Sequence, residues 1–447
     1  MSGIASQRLV LVVLAVLLAP VALAAQTHDL NWVRCRADDP DVRIRGCTDI
    51  IEAKQDMTPM MAIAFNNRGT AYHDNHDEVH AIQDYERAMA LDPTSFRPYI
   101  NRGNSFSNQG DEARAIRDYD RAIELAPTVA LAYANRATSY RRLGDKVRAM
   151  SDFNRAISLQ PNPEYLCWRG DAYADDGDAV HALEDYNRAI AIDPEYSRSY
   201  QFRGHYYLKR GEFDLAMKDY DRAIALDPES VDALYDRGTA YLEHRLTDRA
   251  IEDFDSAVAL DPRHVLAFYN RGIAYRTKRD FARALQDFDR TIALDPDNAP
   301  AYTNRGTIYA DRGDYARAIL DYTQVVRLRP HESSSLNNRG WYYAMAGQYE
   351  KAFQDLDEAI RLKPAGAAAY DSRGVARLKH GDLAKAIADF DAALQRSPTL
   401  ATSLFGRGVA RRQMGDRAAG DKDIAAATRI QPNVAEQMAK YGVTPVR

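Results

Sequence analysis

The chain has 447 residues, 46% hydrophobic and 28% charged, with 59 Lys and Arg against 64 Asp and Glu. That mixture excludes a disordered or membrane-embedded polypeptide, and a net charge of −5 argues against a chain built to neutralise nucleic-acid phosphates. Three cysteines are too few for a disulfide framework or a multi-zinc protein.

The first predicted element is an address. Arg8 precedes an apolar run over residues 9–18, followed by Pro20 and by Ala22-Leu23-Ala24, the pattern of a secretory signal peptide over residues 1–24. The run is short for a membrane span, so cleavage is expected to leave a chain with no inserted segment, periplasmic or secreted from a bacterium. In that oxidising compartment Cys35 and Cys47 are expected to pair. Asp39 and Pro40 read as the N-cap and first residue of a helix, with Ile44, Cys47 and Ile51 on one face. Residues 25–61 are thus a Cys-tethered capping helix. Cys167 is left over as a packing residue.

From residue 62 to 432 one pattern repeats. Arg68, Arg102, Arg136 and Arg169 open a series that runs to Arg407 in steps of 34 residues, with a single step of 33. A proline marches with it from Pro93 to Pro432, giving eleven repeats. After each Arg comes Gly, replaced by Ala137 in the third repeat, and in nine repeats an aromatic follows three residues later, from Tyr72 to Tyr343. A break follows, Gly in eight repeats and then Asp in eight, which closes one helix and caps the next. The second helix carries small residues seven apart, such as Ala115 and Ala122, around an aromatic such as Tyr119. Small residues let two antiparallel helices approach while the ring fills the gap, and proline stops the second helix.

Repeats of this length, with Gly, Tyr, Ala, Phe or Tyr, Ala and Pro at fixed offsets, resemble tetratricopeptide repeats. The resemblance implies an all-α fold, a right-handed α-solenoid or superhelix of antiparallel helix pairs, whose first helices line a concave groove. One departure stands out: the family's usual Leu before the Gly is Arg in all eleven repeats. A buried unpaired guanidinium is costly, and an Asp precedes the second-helix aromatic slot in every repeat, from Asp84 to Asp423. Each Arg is therefore expected to bond an Asp of its own or an adjacent repeat, as in Arg271 with Asp287.

No catalytic constellation is apparent. The histidines 73, 76 and 80 straddle a turn and read as a solvated loop, so neither metal nor cofactor is expected. About 37 residues before the repeats and 15 after them leave no room for a catalytic domain, and the chain reads as a non-enzyme. Binding uses the architecture instead. Asn67, Asn101, Asn135, Asn270, Asn304 and Asn338 precede the Arg, and such a ladder can bond the backbone of an extended peptide. The bland alternative is that these amides close local helix contacts. Trp168, Phe202 and Asp236 interrupt the ladder, with His205, Tyr235 and Tyr269 nearby, as anchors for a protein or peptide. The Lys and Asn slots with which some family members grip a C-terminal carboxylate hold Asn66, Thr70, Ile100 and Asn104, so that clamp is absent.

The last two repeats replace the first-helix Tyr by Arg377 and Arg411, as expected of terminal repeats near solvent. Residues 433–447 read as a closing helix and tail, so both ends are capped and the chain is a monomer or a weak homo-oligomer. The expected function is a protein- or peptide-binding scaffold or adaptor of the cell envelope. The rivals are a self-assembling structural envelope component and a cell-wall polysaccharide binder stacking sugars on Trp168 and Trp341.

Overall fold

The structure, a computed structural model, describes residues 29–54 and 57–445; the expected signal peptide lies outside them. Every regular element among the described residues is helical, and no helix among them is long and apolar enough to cross a membrane. The chain forms two compact units, Met1–Pro228 and Glu229–Arg447. Each is a solenoid of antiparallel helix pairs: five pairs, from Thr58–Asp74 with Glu78–Leu91 to Ser197–Lys209 with Phe213–Leu226, in the first, and six in the second, from Val231–Glu243 to Arg417–Ile430.

The first unit opens with a helical turn at 29–34 and helix Pro40–Ala53, joined by the Cys35–Cys47 disulfide. Asp39 caps that helix by accepting from the Val42 N–H at 2.9 Å. Its buried face is Gly46, Cys47 and Ile50. Ile44 and Ile51, expected on that face, are both half-buried; Ile51 packs against the cluster of Trp32, Cys35, Cys47, Ile50 and Ala64.

Within each pair the sequence logic is local. At eight of the eleven turns a glycine takes the left-handed conformation, with φ from 75° to 97°. His76, Arg245 and Arg279 adopt the same turn at φ near 60° without being glycine. Seven of the eight following Asp residues cap the second helix by accepting the N–H three residues on. Asp382 does not, and sits 3.2 Å from His380 Nδ1 instead. The helices then close tightly: a Cβ on Gly103 would stand 2.5 Å from Tyr119 Cε1, and Ala115, Tyr119 and Ala122 are buried. The 33-residue step falls in the linker before helix Pro163–Asp175, where Asn162 caps the shortened connection through the Glu164 N–H.

All eleven Arg residues bond the Asp of their own repeat through two parallel hydrogen bonds. Arg271 Nε donates to Asp287 Oδ2 at 2.9 Å and Nη2 to Oδ1 at 2.7 Å. In at least eight repeats the remaining Nη1 reaches back to the second helix of the preceding repeat, to Glu86, Asp120, Asn154, Asn187, Asp255, Asp289, Asp357 and Asp391. Burial pulls the Arg271 guanidinium down, but Asp287 and Asp255 together hold it above its ordinary value. The Asp carboxylates are almost wholly buried, which is affordable only with such bidentate partners. In the last two repeats Arg377 and Arg411 join the same carboxylates, at 2.7 Å from Asp389 and 2.8 Å from Asp423. A ring has been exchanged for a second cation.

After the last repeat comes the short helix Val434–Lys440. It turns onto the first-helix face of the second unit, where Val434, Met438 and Val443 are buried against the repeats.

Candidate functional site

The asparagines before the Arg face along the stack. Asn101 Nδ2 donates to Asn66 Oδ1 at 3.0 Å, Asn135 Nδ2 to Asn104 Oδ1 at 2.8 Å, Asn270 Nδ2 to Tyr235 Oη at 3.1 Å and Asn304 Nδ2 to Tyr269 Oη at 3.0 Å. Each of these bonds ties one first helix to the first helix before it. Asn67 Nδ2 donates to the Cys35 carbonyl at 3.3 Å, and Asn338 Oδ1 accepts from its neighbour Asn337 at 3.3 Å. The geometry is that of the local helix contact, with one amide hydrogen of most asparagines already used inside the protein.

Three of the expected residues come together in the first unit. A cleft of about 600 Å³ is lined by Asn135, Trp168 and Phe202, with Asn104, Thr138, Arg141, Arg142, Glu164, Asp171 and Arg198. It spans first helices of consecutive repeats, and Trp168 and Phe202 are half-buried in it. His205 is exposed and is not part of its lining. Tyr235, Asp236, Tyr269, Asn270, Asn304, Asn338 and Trp341 belong to the second unit. There the Tyr235 ring lies 5.1 Å from His264 and Tyr269 lies 6.0 Å from Phe288. Trp341 meets the edge of Tyr441 at 4.9 Å, so this ring is in part covered and is not an open platform.

The charged lining of the cleft was not anticipated. Arg142 Nη1 donates to Glu112 Oε1 at 3.0 Å, and Arg198 Nη1 to Glu164 Oε1 at 3.0 Å. Arg141 is different: it stands 3.5 Å from Asp171 and 3.6 Å from Asp175, beyond good hydrogen-bond range. It is held by these two longer ion pairs and not by a close hydrogen bond among the described residues. Asp171 accepts from the Tyr186 hydroxyl at 2.6 Å, and burial pushes its carboxyl above the usual range against that bond and the nearby cations. The sequence carries no sharp signal for it: the slot varies along the repeats, from His73 and Ser107 to Ala174 and Leu208, and Arg returns there at Arg276 and Arg412.

The arrangement offers hydrogen bonds, one under-used cation and two ring faces. It offers no activated nucleophile. Cys167 is buried and its thiol is pushed up to about 12 by burial, far from a thiolate at neutral pH. His73 pairs with Glu78 at 3.0 Å and His80 with Asp77 at 2.6 Å, so the histidines diverge. No group of potential metal ligands occurs among the described residues.

Tetratricopeptide repeat models match residues 100–162, 203–264, 235–299, 303–367, 339–401 and 372–433, with further matches at 271–333 and 163–196. No curated protein matches the chain. Among solved structures, it is similar to YrrB, a TPR protein with an unusual peptide-binding site, at 22% identity over 42% of this chain and 97% of that one, with a TM-score of 0.34. It is also similar to a tetratricopeptide repeat protein from Parabacteroides merdae, at 21% identity over 60% and 98% with a TM-score of 0.40. Yeast Tom70 aligns at 16% identity over 86% and 96% with a TM-score of 0.36. With family matches over more than half its length, the chain belongs to the tetratricopeptide repeat family.

Proposed function

We propose that this protein is a non-catalytic scaffold or adaptor that binds a protein through an extended segment, in the periplasm or outside the cell. The observation that carries the reading is the cleft of the first unit, where half-buried Trp168 and Phe202 stand beside Arg141, itself held only by longer ion pairs to Asp171 and Asp175. Binding energy concentrates on such aromatic and Arg anchors in partly desolvated pockets. The apolar run over residues 9–18 and the Cys35–Cys47 disulfide support export. The asparagines reinforce the stack and leave to the cleft the task of gripping a ligand.

The test is a photo-reactive residue at Phe202 in living cells, with mass spectrometry of what it captures. A defined protein segment is expected, with affinity falling about 30-fold, or about 2 kcal/mol, on Trp168→Ala. Glycan capture sensitive to Trp168→Ala would replace the peptide by a polysaccharide, and capture of the chain itself would favour self-assembly.

A further inference from the structure

We propose that the first-helix face of repeats nine to eleven is a second binding groove, made for an amphipathic helix, and that residues 434–443 are its intramolecular occupant and gate. This inference is independent of the cleft in the first unit.

Three observations converge on it. The slot just after the repeat Gly is Thr, Asn, Asp or His in seven of the first eight repeats, Ile273 being the exception, but Trp341, Val375 and Val409 in the last three. The face turns apolar where the segment lies. Next, the end of the segment leaves the path of the stack. Helix Val434–Lys440 begins where the 34-residue step would start a twelfth first helix and packs on the eleventh repeat, but Tyr441 just beyond it reaches Trp341, two repeats back, edge to face at 4.9 Å. Val434, Met438 and Val443 are fully buried on the way. Last, the groove reads direction. Lys379 Nζ donates to the Tyr441 carbonyl at 2.6 Å, at the C-terminal end of the helix, where a cation is favoured by unpaired carbonyls and the helix dipole.

The hold is modest in kind. The helix has seven residues and no side-chain N-cap, a length at which helices do not persist without tertiary support. Besides the Lys379 bond, segment and repeats share two bonds at the segment's entry, from Gln431 Nε2 to Gln437 Oε1 at 2.6 Å and from the Val434 N–H to the Gln431 carbonyl at 3.1 Å. The rest is apolar burial, which a longer helix can reproduce and exceed. The fitting partner presents apolar side chains at i and i+4 and an aromatic ring at i+7, as Val434, Met438 and Tyr441 do, with its C-terminal turn at Lys379.

The experiment uses the full chain and a fluorescent peptide with the sequence of residues 433–445 as probe. Met438→Asp is expected to release the segment, so that this variant binds the peptide at least 100-fold more tightly than wild type, and Trp341→Ala added to it is expected to abolish binding. In wild type, amides of 434–443 are expected to exchange at least 100-fold faster than those of helix Ala401–Gln413, reporting local opening. A folded Met438→Asp chain that ignores the peptide overturns the proposal. So does loss of repeats nine to eleven in that variant, which would make the segment a structural cap. A concentration-dependent wild-type dimer with exchanged segments, seen by light scattering, would make a second copy the occupant and overturn the intramolecular gate.

Discussion

Arg271 shows how much a single side chain does in this fold. Its fork closes on Asp287 within the repeat, and its third nitrogen holds Asp255 of the repeat before, at 2.7 Å. Removing one partner leaves a buried charge alone. We predict that Arg271→Leu and Asp287→Leu each cost about 3 kcal/mol, and that the double variant costs clearly less than their sum, with a coupling of about 2 kcal/mol measured by chemical denaturation. Strict additivity would show that the two charges act independently. The pairing within repeats was legible because Arg and Asp recur in equal number at constant separation. An adjacent repeat stood as the alternative partner, but that each Arg serves both at once was not legible, since the second target varies from Glu86 to Asn154.

Helix ends give a second lesson, at the scale of elements. Glycine marks eight turns in the sequence, yet His76, Arg245 and Arg279 take the same left-handed turn, because packed helices on both sides dictate where the chain must reverse. Such residues carry strain of about 1–3 kcal/mol each. The capping acids were legible from their place after the break, and Asp145 illustrates their chemistry: the Arg148 backbone N–H, and then its side chain, hold the carboxyl below its ordinary value. A depressed carboxyl contributes stability above its unfolded value, about 3.9, and loses it as pH falls through the folded value. Asp145→Asn keeps a capping oxygen that does not titrate. Its melting temperature is therefore expected to vary less than that of wild type between pH 5 and 2, as followed by circular dichroism. An unchanged slope would remove Asp145 from the acid response.

In the whole molecule, stability is a sum over repeats and their junctions. The Cys35–Cys47 link closes a loop of 12 residues, a constraint of about 3 kcal/mol in the chain-entropy account. Reduction is expected to raise hydrogen exchange across residues 29–74 while leaving residues 401–430 protected; uniform loosening would contradict a repeat-by-repeat sum. The repeats were readable because periodicity states them eleven times. The cleft was readable only in part: Trp168 and Phe202 stood out as breaks in the Asn ladder, but Arg141 acts through what its neighbours leave unbonded, and that depends on distances. The closing segment was legible as a helix but not in its destination, since a seven-residue pattern does not say which surface it will cover.

The two-handed guanidinium also bears on how such an array changes length. A cassette bounded by its own Arg and Asp brings a balanced pair of charges and offers a hand to whatever precedes it, so duplication or loss of a whole cassette strands no buried ion. A cut inside the cassette separates the partners and strands both. Evolution and engineering are thereby confined to whole-number steps along this chain, with each junction already compatible with the next.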